Sequence, residues 1–224
     1  MRELLTGLSI RRFEAMSDVA MHEVHPPVDR SGRSGPVRLL HVGRIVRTKG
    51  LRDVIRAVHL LSDHDLVLDV LGEGDDRGAC EELVHDLGLE DRVAFHGQVP
   101  RAVVDGFYER ADVFAFPSYR EPGGSVVLEA MSYGLPLVVC DRGGPAANVD
   151  ESCAFRIPAV SPAQMSSDCA SALRALAVDP ELRHRMGAAA RTRAASTHLW
   201  AHRLERMAAL YAAVTRRRPS TAVD

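Results

Sequence analysis

The sequence predicts an α/β fold, a single domain built on a parallel sheet with helices on both faces, followed by further C-terminal helices. Three observations predict it. Short, mostly apolar runs such as Val37–Val42, Leu66–Leu71 and Val113–Phe116 show little of the alternation of a half-exposed strand, as expected when both faces are buried. Stretches with helical periodicity separate these runs. Gly, Pro or Asp stands at most of the junctions, where the chain must turn. At 224 residues one domain is the first expectation. Hydrophobic residues make up 46% of the chain and aromatics 5%, so Leu, Val and Ala must form most of the core.

Residues 1–36 stand apart from the rest. Leu4, Leu8, Ile10 and Phe13 are spaced for a loose helix. His25-Pro-Pro-Val-Asp29 and Ser31-Gly-Arg-Ser-Gly-Pro36 read as a linker over His25–Pro36, because Pro-Pro is extended and Gly/Ser-rich chain is flexible. The domain proper spans 37–217. Val37–Val42 is its first strand. Gly50–Ser62 carries Leu51, Val54, Ile55, Val58 and Leu61 on one helical face. Leu66–Leu71 is a strand, and Asp75–Leu87 a helix that Gly88 ends from the position just past its last turn. Arg92–His96 is a strand, Arg101–Arg110 a helix and Asp112–Phe116 a strand. Ser125–Tyr133 is a helix ended by Gly134. Leu137–Cys140 and Cys153–Ile157 are the last strands. Three helices follow, Pro162–Val178, Pro180–Ala195 and His198–Arg217. The last carries Trp200, Leu204, Met207, Tyr211 and Val214 as a stripe that needs a partner surface. Residues 218–224 are expected to be a disordered tail.

Charge and cysteine content exclude several functions. The formal net charge is -2, so nothing draws the chain as a whole to nucleic acid. Cys80, Cys140, Cys153 and Cys169 are far apart with no C-x-x-C pair, which reads as ordinary buried thiols in a reducing, cytoplasmic setting. No apolar run approaches the ~18 residues of a membrane span. His198 and His202 lack the H-E-x-x-H pattern, and His22-Glu-Val-His25 misses its spacing, so no metal is expected. G-x-S-x-G and the Walker phosphate loop are absent.

The chemistry gathers where strands end, since ligands of parallel sheets bind beyond the carboxyl ends of the strands. The most informative stretch is Glu121-Pro-Gly-Gly-Ser-Val-Val-Leu-Glu129. It joins a strand to a helix through glycines, and a helix N-terminus with close backbone access favours an anion. Its two carboxylates are eight residues apart, roughly 2.2 turns of helix. Gly43-Arg44 and Lys49-Gly50 follow the first strand. Arginine can grip a phosphate with two donors and lysine supplies a point charge, although solvated surface charge would leave the same trace. Gly72-Glu-Gly74 follows the second strand. Arg77 stands where a dinucleotide fingerprint needs a third glycine, so a tight turn lining the cleft is the better reading and a dehydrogenase half is disfavoured. Phe95-His-Gly-Gln98 ends another strand with an aromatic and a polar group that could hold a flat base. Asp141-Arg-Gly-Gly144 is a loop by composition.

Taken in order, Gly43-Arg44, Lys49-Gly50, Gly72-Glu-Gly74, Gly88-Leu89, Phe95-His-Gly97, Ala111-Asp-Val-Phe114, Pro117-Ser118, the Glu121…Glu129 pair, Leu128-Glu-Ala-Met131, Gly134-Leu-Pro136 and Gly143-Gly144 resemble the donor-binding half of a GT-B glycosyltransferase. The group is the large retaining family 4, or group 1. Asp179-Pro-Glu-Leu-Arg183, Met186-Gly187 and Trp200 extend the likeness, which covers roughly His25 to Tyr211. The resemblance implies a Rossmann-like domain, half of a GT-B fold, with a nucleotide-diphosphate sugar as donor and no metal or other cofactor. It implies that Arg44 and Lys49 bind the diphosphate and stabilise the leaving group. Glu121 would contact the transferred sugar, and these three are the catalytic candidates. Gly123, Gly124 and Ser125 would offer backbone N–H groups. Glu129 would hold ribose hydroxyls, Phe95 and Gln98 would lie near the base, and Gly43, Gly72 and Leu128 complete the donor set.

Two departures accompany the likeness. The family's usual Gly-Phe-Gly or Pro-Phe-Gly is replaced by Pro122-Gly-Gly124, which removes an aromatic beside the donor sugar. The acceptor-binding half should precede His25, where only a few tens of residues stand. The expectation is therefore a donor-binding part that is incomplete alone, with a separate acceptor-binding domain or subunit packing on the last helix, and peripheral contact with a membrane as a further option. The alternative expectation is a non-catalytic nucleotide-sugar-binding or partner-binding module.

Overall fold

A computed structural model describes residues 19–215, so the readings made for Leu4–Phe13 and for residues 218–224 lie outside the described residues. Six strands form one sheet: β1 (Val37–Val42), β2 (Leu66–Leu71), β3 (Val93–Gly97), β4 (Val113–Phe116), β5 (Leu137–Cys140) and β6 (Ala154–Ile157). Every pairing is parallel, and the order across the sheet is β3-β2-β1-β4-β5-β6. Eight α-helices accompany them among the described residues: α1 (Leu51–Leu60), α2 (Arg77–Asp86), α3 (Arg101–Arg110), α4 (Ser125–Ser132), α5 (Gly143–Asn148), α6 (Pro162–Val178), α7 (Pro180–Thr197) and α8 (Trp200–Thr215). A single 3-10 turn, Arg47–Lys49, precedes α1.

The strands have apolar residues on both faces because both are covered. Leu39, Val113, Ala115, Val138 and Cys140 point into one core with α1, α2 and α6. Leu40, Phe114, Phe116, Leu137 and Val139 point into the other with α3 and α4. All four residues of β4 and all four of β5 are buried. The four cysteines are buried and unbridged. The chain starts at β1, steps outward through β2 to β3, then returns to place β4 on the other side of β1. That reversal opens a crevice between the loops after β1 and β4, the position where open parallel sheets bind ligands.

Two readings need correction. Gly143 and Gly144, expected in a loop, open α5. The reason is packing rather than propensity. A Cβ on Gly144 would be driven into the carbonyl oxygens of Pro122 and Gly123, and one on Gly143 into that of Glu121. Only glycines let this turn lie flat on the loop after β4. The segment His25–Pro36 has no regular element, but it is held rather than free. Arg30 donates to the carbonyls of Ala111 (2.7 Å), Tyr133 (2.9 Å) and Tyr108 (3.0 Å), which joins it to the C-terminal ends of α3 and α4. Arg33 donates to the Arg110 and Glu109 carbonyls, Arg191 of α7 donates to the His25 carbonyl, and His25 stacks on Tyr133. Cations at helix C-termini meet orphan carbonyls and the negative end of the dipole, an interaction that Gly/Ser composition does not reveal.

The last helix keeps its stripe only partly covered. Leu204 and Tyr211 are exposed at 58% and 68%, and Trp200 and Met207 are half-buried. No described helix is long and apolar enough to cross a membrane.

Candidate active site

Because every strand runs the same way, the loops after β1, β2, β3, β4 and β5 emerge at one edge of the sheet. Backbone hydrogen bonds lock them together. The Gly43 N–H donates to the Leu71 carbonyl, Ile45 to Glu73, and Gly72 to Gly97. Across the crevice, the Thr48 carbonyl accepts from the Tyr119 N–H at 3.1 Å and from the Ser118 hydroxyl at 3.1 Å. The loop after β4 is closed in turn by the Gly144 N–H, which donates to the Glu121 carbonyl at 2.9 Å.

At the centre, Lys49 from the β1 side forms an ion pair with Glu121 from the β4 side. The second carboxylate oxygen of Glu121 accepts the N–H groups of Gly124 (3.1 Å) and Gly123 (3.3 Å). A carboxylate thus rests between a cation and the N-terminus of α4, where backbone donors and the dipole favour negative charge. Burial pushes the Glu121 carboxyl up, but the hydrogen bonds from Lys49, Gly124 and Gly123 outweigh it and hold the group below its ordinary value. Lys49 also lies 5.4 Å from the centroid of the Phe116 ring, close enough for a cation–π contact. Beyond Gly124, the N–H groups of Ser125 and Val126 find no acceptor among the described residues. Arg44 is exposed, and its guanidinium makes no hydrogen bond or ion pair among the described residues.

The remaining candidates are spread more widely. Gly43 sits against Phe116, with room for a Cβ only at 3.4 Å from the ring, and a Cβ on Gly72 would strike the Gly43 carbonyl. These two glycines bring the β1 and β2 loops together. Glu129 lies along α4 and pairs with Arg101 at 2.6 Å, a partner 28 residues away that no sequence signal indicated. Phe95 is half-buried and covered by the Arg77 guanidinium at 5.8 Å, while Gln98 is exposed. Leu128 is 2% exposed and belongs to the core between α4 and the sheet. The structure therefore brings Lys49, Glu121, Gly123 and Gly124 into direct contact, with Gly43 and Gly72 shaping the adjoining loops. Phe95 lies on the β2–β3 flank, Glu129 farther along α4.

Two buried groups escaped the sequence reading. His41, fully buried in β1, donates through Nδ1 to the Ala115 carbonyl at 2.8 Å, 5.3 Å from the Phe116 ring. Its Nε2 has no partner among the described residues, and burial pulls its pKa down to about 4, so the ring is neutral beneath the crevice. Asn148, at the end of α5, donates to the Gly123 carbonyl at 2.9 Å. Among the described residues no cluster of three or more His, Cys, Asp or Glu could hold a metal.

The family model for "Glycosyl transferases group 1" matches residues 29–193. A D-inositol 3-phosphate glycosyltransferase of Corynebacterium kroppenstedtii is 32% identical over 231 residues, covering 96% of this chain and 49% of the relative. The chain spans about half or less of the curated relatives it matches. Among solved structures, the C-terminal domain of a group 1 family protein, LpcC of Francisella tularensis, superposes with a TM-score of 0.66 at 24% identity, covering 74% of this chain and 88% of that domain. HepE of Anabaena, solved in complex with UDP and glucose, superposes with a TM-score of 0.68 at 22% identity, covering 80% of this chain and 48% of that one.

Proposed function

The chain belongs to the group 1 glycosyl transferases, and from that premise we propose that it is the C-terminal, donor-binding part of a retaining GT-B enzyme of family 4. It takes a nucleotide-diphosphate sugar into the crevice between the β1 and β4 loops. The observation that carries this reading is the Lys49–Glu121 pair seated on the Gly123 and Gly124 N–H groups. Such a site, with a cation and a helix N-terminus facing each other at the switch point of the sheet, is built for an anionic group. Glu121 fills it in the free protein. When the donor binds, its diphosphate takes the N–H groups and Lys49, Arg44 closes from solvent, and Glu121 turns to the sugar hydroxyls. Glu129 turns from Arg101 to the ribose, and the base lies toward Phe95 and Gln98. The reading is supported by the fold shared with the C-terminal domain of LpcC and with HepE, a protein solved in complex with UDP and glucose.

In the reaction, the bond between the anomeric carbon and the diphosphate oxygen breaks, and negative charge builds on the diphosphate. Lys49, Arg44 and the α4 N-terminus stabilise that charge, which lowers the barrier without a metal. The acceptor oxygen attacks from the same face and passes its proton to the departing diphosphate. Glu121 and Glu129 are therefore not a hydrolase acid–base pair, which would flank one glycosidic bond. The acceptor, a glycan, lipid or small molecule, is brought by a second domain that packs against α8. The proposed setting is the cytoplasm, with peripheral membrane contact for a lipid acceptor. A second reading, a non-catalytic nucleotide-sugar-binding or partner-binding module, rests on the exposed Leu204 of α8.

Calorimetric titration of the chain with UDP-, GDP- and ADP-sugars, with NADH as control, tests the proposal. One nucleotide sugar should bind, and Lys49→Ala should weaken it by about tenfold or more, the loss of one charge-assisted contact. NADH binding without any nucleotide-sugar binding would overturn it. Sugar transfer by a preparation containing this chain, lost in Lys49→Ala, would remove the second reading.

A further inference from the structure

We propose that Asn148 is a positioning residue that aims the Gly124 N–H into the crevice, and that the junction of α7 and α8 sets Asn148 through His198. The ligand side of this inference rests on the function proposed above; the positioning itself does not. The geometry follows from one peptide plane. The carbonyl of Gly123 and the N–H of Gly124 belong to the same trans peptide, so they point in opposite directions. Asn148 donates its side-chain N–H to that carbonyl at 2.9 Å. Pulling the carbonyl toward α5 turns the Gly124 N–H the other way, where it meets the Glu121 carboxylate at 3.1 Å. Asn148 is the hydrogen-bond donor to that carbonyl among the described residues, and on the other side of the peptide the Glu121 carboxylate holds the N–H only while it stays in place. Gly123 and Gly124 are two glycines in succession, and Gly124 sits at a φ of +78°. A flip of the intervening peptide would turn a carbonyl oxygen toward the place of an anion and abolish the site's charge preference.

Asn148 is itself fixed from outside the loop. It is 1% exposed. Its main-chain carbonyl accepts from Arg193 Nε at 2.8 Å and from His198 Nε2 at 2.8 Å. Arg193 continues to Asp150 at 2.5 Å. His198 stands between α7 and α8 and is 6% exposed. Its backbone carbonyl accepts from the Met21 N–H at 2.9 Å, and the Met21 carbonyl accepts from the Trp200 N–H at 2.9 Å. The chain that leads into the domain and the start of its last helix are thus clasped together. That clasp reaches the Gly123 peptide through two side chains, His198 and Asn148. A shift of α8 against α7 would be felt at the donor loop.

The test compares Asn148→Asp, the same shape without a donor, and Asn148→Ala with the wild-type chain. The first measurement needs no ligand. Amide hydrogen exchange at Gly124 is expected to accelerate by about tenfold or more in both variants, the loss of one directed hydrogen bond, while amides of β4 and β5 keep their protection. His198→Ala should accelerate it in the same direction and to a smaller extent. The second measurement titrates UDP-glucose, or whichever nucleotide sugar the wild type binds, beside the matching nucleoside monophosphate. The variants should lose affinity for the diphosphate sugar and keep it for the monophosphate, which does not reach the loop. Unchanged Gly124 exchange in a folded variant overturns the proposal, and so do equal losses for both ligands. Faster Gly124 exchange in a chain whose wild type binds no nucleotide sugar would leave the positioning standing and sink the functional reading instead.

Discussion

Glu121, in the loop before α4, and Glu129, within α4, carry the same charge, yet their surroundings assign them different work. Glu121 is held at the crevice by Lys49 and two backbone donors. Glu129 is held away from that cluster by Arg101 at 2.6 Å. Removing Glu121 frees Lys49 and the α4 N-terminus, so Glu121→Ala should leave affinity for the bare nucleoside diphosphate equal or higher and lose the added affinity for the attached sugar. Glu129→Ala should weaken the bare diphosphate and its sugar conjugate alike, by about three- to tenfold for one hydroxyl contact. Calorimetry with both ligands on both variants decides it, and equal losses for both ligands in both variants would refute the division. The residues themselves were visible in the sequence, because two acids around a glycine pair after a strand are a recognisable pattern. Their partners were not. Lys49 lies 72 residues from Glu121 and Arg101 lies 28 from Glu129, and only the order of strands in the sheet brings them together.

At the scale of elements, helices whose ends are written in side chains were legible and those made by packing were not. Ser161 and Asp179, each followed by proline, start α6 and α7. The Ser161 hydroxyl accepts the Gln164 N–H, and the Asp179 carboxylate accepts the Leu182 N–H at 2.8 Å. β1, β4 and β5 were legible for a similar reason, since burial on both faces writes itself as apolar sequence. α5 was not, because Gly143-Gly144-Pro145 is poor helix sequence and its place is set by contact with the loop after β4. The same contrast separates two expected stabilities. Asp179→Ala removes one N-cap and should cost about 1 kcal/mol, a fall of roughly 2–4 °C in melting temperature for a chain of this size. Gly187→Ala should cost more, about 1–3 kcal/mol, because its Cβ would be driven into the Gly134 carbonyl where α7 crosses the end of α4. Thermal melts of the two variants check the order, and a milder effect at Gly187 would mean that this crossing has slack.

For the whole molecule, acid is the condition that should expose what the sheet conceals. His41 is fully buried and held neutral by that burial, with Lys49 also opposing its protonation, although its hydrogen bond to the Ala115 carbonyl pulls the other way. In the unfolded chain a histidine titrates near 6.5, whereas in the folded chain burial lowers His41 to about 4. Between those values the unfolded chain takes up a proton that the folded chain refuses, so stability falls as pH falls. Carried from pH 7 to pH 5, this one site removes about 2 kcal/mol. His198 adds to the loss, since burial also lowers its pKa, with Arg193 and Arg203 acting in the same direction. The bonded carboxylates contribute later, because Glu121 and Asp150 are held below their ordinary values and lose their stabilisation only as pH drops through the carboxylate range. The window from pH 6.5 to 5 therefore belongs to the two histidines. His41→Asn, which keeps a donor and removes the titration, should be less stable than the wild type at pH 7 because it leaves space under Phe116. Its stability should fall between pH 7 and pH 5 by about 2 kcal/mol less than that of the wild type. Urea unfolding at pH 7, 6 and 5 measures both slopes, and parallel slopes would show that His41 takes up its proton in the folded chain as readily as in the unfolded one.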